Sequence, residues 1–161
     1  MKKIRIAAFV LMVIWMGYIF AMSQRTADES TKDSEKVGAF IGKLVVPDFE
    51  KLDEEAQHEF VVRIDHDVRK TAHFLEYALL GILAFFVFYD GVGEHGIFCI
   101  KAFSVAFFYS VTDEFHQLFI SGRSGQFSDV FIDSMGALAG LLAVTAGVAL
   151  IAKLRKMMLV Y

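Results

Sequence analysis

Cysteine, proline and tryptophan each occur once in this chain. The lone Cys99 excludes an intramolecular disulfide, and its place in an apolar run makes it a core filler. HExxH, paired CxxC and Gly-x-Ser-x-Gly are all absent, so neither a zincin-type metal site nor a nucleophile elbow is expected. No internal repeat is present, and the polar groups gather at one end, which counts against an alternating-access transporter. A basic footprint is missing too. The polar stretch 23–70 holds eight Lys or Arg against twelve Asp or Glu, which excludes a nucleic-acid partner.

What the chain has in excess is apolar side chain. At 56% hydrophobic residues, with 17 Phe and a mean hydropathy of +0.51, it exceeds a soluble domain of this size. The excess falls in four runs, 4–22, 72–89, 96–112 and 130–152. Each has about the length needed to cross a roughly 30 Å hydrocarbon core. These runs lack the polar faces of a soluble bundle. The expectation is a single all-α membrane domain over 1–161, with four transmembrane helices. A mostly helical polar extracytoplasmic segment, residues 23–70, lies between the first and second.

Lys2, Lys3 and Arg5 before the first run also fit a secretory signal peptide, with Ala21-Met22-Ser23 as a cleavage site. The spanning length of the run favours a retained helix instead. With Lys153, Arg155 and Lys156 at the other end, the positive-inside rule puts both termini on the cytoplasmic side of the membrane. Lys101 then lies in the cytoplasmic part of the third span, able to snorkel. Arg69 and Lys70 oppose this layout, but charges in a long loop weigh less than those in tails. Within 23–70, Ser23 to Ser34 reads as exposed loop. Residues 35–46 and 50–62 read as two short amphipathic helices broken by Pro47, lying on the outer membrane face or capping the bundle. Asp90 to His95 and Ser121 to Gly125 read as the turns on either side of the third span.

Ionisable groups at the mouth of a membrane bundle are costly, so they point to function or to specific pairing. The second span opens with Lys70, His73, Glu76 and Tyr77. At about 100° per residue, Lys70, His73 and Tyr77 lie within roughly 60° of one another, with Glu76 about 60° beyond His73. The third span ends with Asp113, His116 and Gln117 on a shared arc if its helix continues, and Glu114 at the edge. On the fourth, Asp129, Asp133, Gly136 and Gly140 form one stripe. In a four-span layout all of these reach one depth. His73, Glu76, Asp113, Glu114, His116 and Asp133 are the candidates for catalysis, because a carboxylate beside a histidine is what acid–base chemistry requires. Lys70, Tyr77, Gln117, Arg123 and Asp129 are the candidates for substrate binding, Arg123 as a planar fork and Lys70 as a point charge.

Five acids (Glu76, Asp113, Glu114, Asp129 and Asp133) face only Lys70, Arg123 and two histidines. Either a histidine is protonated, a carboxyl keeps its proton, or a metal binds. No metal is assigned, and no cofactor is named by the sequence. Each residue also has a plainer reading. Asp129 suits the first turn of a helix, and Tyr77 suits an interfacial anchor. The glycine stripe suits close helix packing, and leaves a homodimer open.

These segments resemble the VanZ-like family of bacterial integral membrane proteins. The resemblance is carried by Trp15-Met16 through Phe20 to Ser23-Gln24, with Ser30 and Ser34, and by Arg69-Lys70-x-x-His73-Phe74-x-Glu76-Tyr77-x-x-Leu80-Gly81. It continues in Asp113-Glu114-x-His116-Gln117, Gly122-Arg123 and Asp129-x-x-x-Asp133-x-x-Gly136, and is least informative over 35–66. It implies a small protein with several membrane helices, whose named member is associated with resistance to the glycopeptide teicoplanin. It also implies importance for the charged and polar residues just named. Three readings stay open. One is an enzyme acting on an envelope lipid or lipid-linked precursor at the outer leaflet. Another is a non-catalytic binder of an envelope component or of a cationic or polar antibiotic, such as a glycopeptide resistance accessory. The third is a polar cluster that only fixes helix register.

Overall fold

The computed structural model describes residues 1–91 and 95–158. Among these it is helical throughout: α1 (Lys2–Ser23), α2 (Ala27–Val45), a short 3-10 turn (Phe49–Lys51), α3 (Glu54–Phe88), α4 (His95–Gln117) and α5 (Phe127–Met158). Helices α1, α3, α4 and α5 are long and apolar enough to cross a membrane. Ile14, Ile100, Phe131 and Leu142 on their outer faces are 63–71% exposed. Water would penalise such a surface, whereas hydrocarbon accepts it.

The polar segment is more ordered than its composition suggests. Residues 27–34, expected as exposed loop, already belong to α2. A capping box starts that helix: Thr26 Oγ1 accepts from the Glu29 N–H at 3.4 Å, and Glu29 Oε2 accepts from the Thr26 N–H at 3.0 Å. The hydrogen bonds from Thr26 hold the exposed Glu29 carboxyl below its ordinary range. The run of Ser, Thr and Asp hides the helix because these residues favour turns until a cap and a packing face commit them.

The second expected amphipathic helix, 50–62, is not separate. Asp53 Oδ1 accepts from the Ala56 N–H at 2.7 Å, and the helix that begins there continues for 35 residues into the apolar run. At about 1.5 Å per residue this is about 52 Å, more than the roughly 30 Å core, so its first turns project beyond the hydrocarbon. No proline interrupts 54–88. The change from polar to apolar residues marks a change of solvent, not a helix end. Helix α2 folds back on this projection, and a Cβ on Gly38 would stand 3.2 Å from Val61. Asp48, at φ 56°, makes the reversal after Pro47. Phe49 tucks beneath it, 3% exposed, edge-on to Phe60.

Helices α4 and α5 also overrun their apolar runs, so Asp113, Glu114 and Gln117 at the end of one and Asp129 at the start of the other are helical. The turn expected at Asp90 to His95 includes 92–94, outside the described residues, and His95 is already helical. Helix α3 is central, packing on α1, α2, α4 and most extensively on α5. Contact is backbone to backbone: a Cβ on Gly136 or Gly140 would collide with the carbonyl of Phe74 or Ala78. One on Gly81 would lie 2.8 Å from Ala137 O. The Gly136–Gly140 stripe is thus filled within the chain, not left exposed to a second copy as the sequence allowed.

Around this contact sit Tyr77, Leu80, Ala84 and Phe85 of α3, Ala102 and Ala106 of α4, and Ala137 and Leu141 of α5. Arg5 Nε donates to Val87 O at 2.9 Å, and a Cβ on Gly91 would stand 3.5 Å from the Met1 side chain. The chain's first residues therefore share one end of the bundle with the end of α3 and of its parallel neighbour α5. Lys101 lies at this end, 5.9 Å from the centre of the Phe88 ring.

Gly140→Val is expected to destabilise the bundle by about 3 kcal/mol, because backbone cannot yield to an added side chain. Gly147→Val is the control, since a Cβ there meets nothing within 4 Å. Thermal unfolding in detergent should show a lowered midpoint for the first variant alone.

Candidate functional site

At the end away from the termini, the first turns of α5 lie abreast of Lys70 and His73, midway along the parallel α3. Their register pairs cations of one with acids of the other. Lys70 donates to Asp129 Oδ1 in a partly buried ion pair. One turn deeper, His73 Nδ1 stands 3.4 Å from Asp133 Oδ1. These two atoms face each other without hydrogen-bond geometry, and both are buried with no other partner. Asp133 is 0% exposed, and its other oxygen accepts from Ser110 Oγ at 2.6 Å.

Helix α4 adds a row. Ser110, Asp113, Glu114 and Gln117 are all buried on one face, the i, i+3, i+4, i+7 spacing of a helix. Gln117 Nε2 donates to Asp113 Oδ2 at 3.2 Å and to Glu114 Oε1 at 3.3 Å, and the Gln126 N–H reaches Glu114 Oε2 at 2.9 Å. His73, Glu114 and Asp133 each present a donor atom within 4.8 Å of the others. Glu76 lies close enough to feel the charges of His73, Asp133, Asp113 and Arg123, and its backbone carbonyl accepts from Trp15 Nε1 at 2.9 Å. Tyr77 is fully buried, its ring beside Tyr109 and its hydroxyl without a partner. It sits inside the bundle, where an interfacial anchor would not.

His116 is set apart. It was expected on one arc with Asp113 and Gln117, yet its ring packs on Phe20 of α1 with centroids 4.7 Å apart. Three residues past Asp113 the helix has turned far enough to face α1 instead of α3.

Two adjoining cavities open over the cluster. The first, of about 170 Å³, is lined by His66, Arg69, Lys70, Arg123, Gln126 and Asp129 among others. The second, of about 200 Å³, runs past Tyr18, Ile19, Met22, Val37, Val68 and Ala72, with Glu76 and Asp113 in its wall. Ser30, Arg69, His73 and Arg123 border both. Arg69 is held by Asp65 at 2.7 Å and Arg25 by Asp33. Arg123 has no such acid among the described ion pairs, and its guanidinium makes one long bond, 3.5 Å, to Met22 O. Burial pulls its pKa below the ordinary value, while Asp113 and Glu114 pull it back up. A guanidinium stays charged through such a shift.

Ser110 and Gln126 were not singled out from the sequence. Ser110 was legible in principle, one turn before Asp113 and Glu114 on the same face. Gln126 contributes a backbone N–H, which no side-chain pattern announces. The loop that presents it is fixed by Ala27 N–H to Ser121 O at 3.3 Å and by Gly122, whose φ of 74° suits glycine.

A helical membrane bundle that seals a row of acids, a histidine and an arginine at one mouth defines the class of protein. The VanZ/LLP1 family profile matches residues 8–151, and the chain belongs to that family. No curated protein and no solved structure matches it.

The Lys70–Asp129 pair should behave as a unit. Lys70→Met leaves a mostly buried carboxylate alone and is expected to destabilise by about 2 kcal/mol, reduced from a fully buried pair by partial exposure. Adding Asp129→Leu should recover most of that loss in a double-mutant cycle.

Proposed function

We propose that this protein recognises an anionic membrane amphiphile, a lipid or lipid-linked envelope component, by its headgroup at the outer leaflet of a bacterial plasma membrane. What carries this reading is the pair of cavities joined at Arg123. One offers the unspent donors of Arg123 to a phosphate or carboxylate, with Lys70, paired to Asp129, beside it. The other is an apolar cleft between α1, α2 and α3, suited to the chain attached to that headgroup. A ligand polar at one end and apolar at the other matches both. The sidedness follows from charge: the basic residues Lys2, Lys3, Arg5, Lys153, Arg155 and Lys156 gather at the end with the termini, so the cluster faces outward.

A glycopeptide antibiotic is the weaker fit. Arg69, Lys70 and Arg123 line the first cavity against the one acid Asp129, so a cationic ligand meets net repulsion there. A second reading rests on one observation, the His73–Asp133 pair beside the headgroup pocket. An imidazole facing a carboxylate is equipped for acid–base catalysis, which would make the protein a lipid-modifying enzyme. Formation of a product in proteoliposomes separates that from recognition alone.

Arg123→Gln should weaken binding of anionic lipid about tenfold or more, the loss expected for charge-assisted hydrogen bonds. Zwitterionic lipid should bind unchanged, and Lys36→Gln, on the exposed face of α2, should have no effect. Native mass spectrometry of the protein in mixed micelles reads all three. Equal anionic-lipid binding by wild type and Arg123→Gln would remove the reading.

A further inference from the structure

We infer that His73, Glu114 and Asp133 form a binding site for one divalent transition-metal ion where α3, α4 and α5 meet. Three donor atoms from three helices converge within 4.8 Å. The 3.4 Å between His73 Nδ1 and Asp133 Oδ1 is too poorly directed for a hydrogen bond. It is the separation expected of two tetrahedral ligands about 2.1 Å from a common ion. Asp133 gives the independent sign. It is 0% exposed, and Oδ1 points at His73 with no hydrogen-bond partner while Oδ2 is held by Ser110 Oγ at 2.6 Å. A buried carboxylate oxygen left bare in this way calls for a partner, and one oxygen free with the other tethered is how metal-ligating carboxylates are oriented. Glu114 is held at both oxygens, Oε1 by Gln117 Nε2 at 3.3 Å and Oε2 by the Gln126 N–H at 2.9 Å, each oxygen keeping a second lone pair for an ion.

Charge points the same way. Asp113, Glu114 and Asp133 are each at most 5% exposed, and the nearby Lys70 is already spent on Asp129. A divalent ion offsets two of these charges with no proton required. One imidazole and two carboxylates suit zinc or manganese more than calcium or magnesium. Three protein ligands leave a fourth position open, and His73 borders both cavities. With an ion bound, His73 and Asp133 are ligands and not a free acid–base pair. A motif search misses such a site because no two of its ligands lie within one helix.

The full chain in detergent, stripped of metal with a chelator, is titrated with Co2+ and then Zn2+. One Co2+ per chain should bind, with the strong visible bands of a tetrahedral ion, and Zn2+ should displace it. Asp133→Asn and Glu114→Gln should weaken binding roughly a hundredfold, and Ser110→Ala, a positioning change, about tenfold. Glu50→Gln on the exposed turn should bind as wild type. Because loss of a buried ligand can unfold the bundle, His73→Cys supplies a second test: folded protein should gain a thiolate-to-cobalt charge-transfer band that wild type, with its Cys99, lacks. Absence of stoichiometric Co2+ or Zn2+, unchanged affinity in the folded ligand variants, or a folded His73→Cys protein without that band would each overturn the assignment. Lipid binding through Arg123 is read separately, so either inference can fail alone.

Discussion

The close approach of α3 and α5 is the constraint on which the site depends. Gly136 and Gly140 let α5 lie directly on the carbonyls of Phe74 and Ala78, and Gly81 does the same from the other side. In hydrocarbon there is little hydrophobic gain from bringing helices together, so packing of this kind must supply the attraction. Backbone contact also fixes register, since neither helix can slide without driving a side chain into main chain. That register sets Lys70 against Asp129 and His73 against Asp133. The polar cluster is therefore held by glycines that carry no chemistry of their own.

The second contribution is the length of α3. A helix ending at the membrane surface would have left Arg69, Lys70 and His73 on a frayed end. Because α3 continues outward and α2 packs against the extension, these side chains stand on rigid helix and are walled in. Helix α2 lends Ser30 to both cavities and Val37 to the apolar one. The polar segment is thus a wall of the site, built from residues with no striking chemistry. The same wall keeps a polar compartment and a more apolar one apart, and the two meet at one guanidinium.

Much of this was legible in the residues. Four apolar runs gave four spanning helices because helix and hydrocarbon solubility are both local properties of composition. The end at which polar groups collect was legible for the same reason: alternating spans return to one side every second crossing. The hidden parts were those that need a neighbour. A helix over 27–34 needed its cap and the face of α3 to hold it. The join of 54–71 to the second span was obscured because hydropathy changes there while backbone geometry does not. His116 seemed to belong with Asp113 until the rotation of α4 against α1 was known.

The sequence by itself determined the four spanning helices and the chemistry concentrated at one mouth, because hydrogen bonding within a helix and transfer into hydrocarbon depend on each segment alone. Only the tertiary structure decided which of those groups meet. It joined His73 to Asp133, gave Ser110 and Gln126 their places, sent His116 to Phe20 and left Arg123 with donors to spare. Those outcomes depend on the rotation and register of helices about one another, which close packing sets to within a single residue and no single segment encodes.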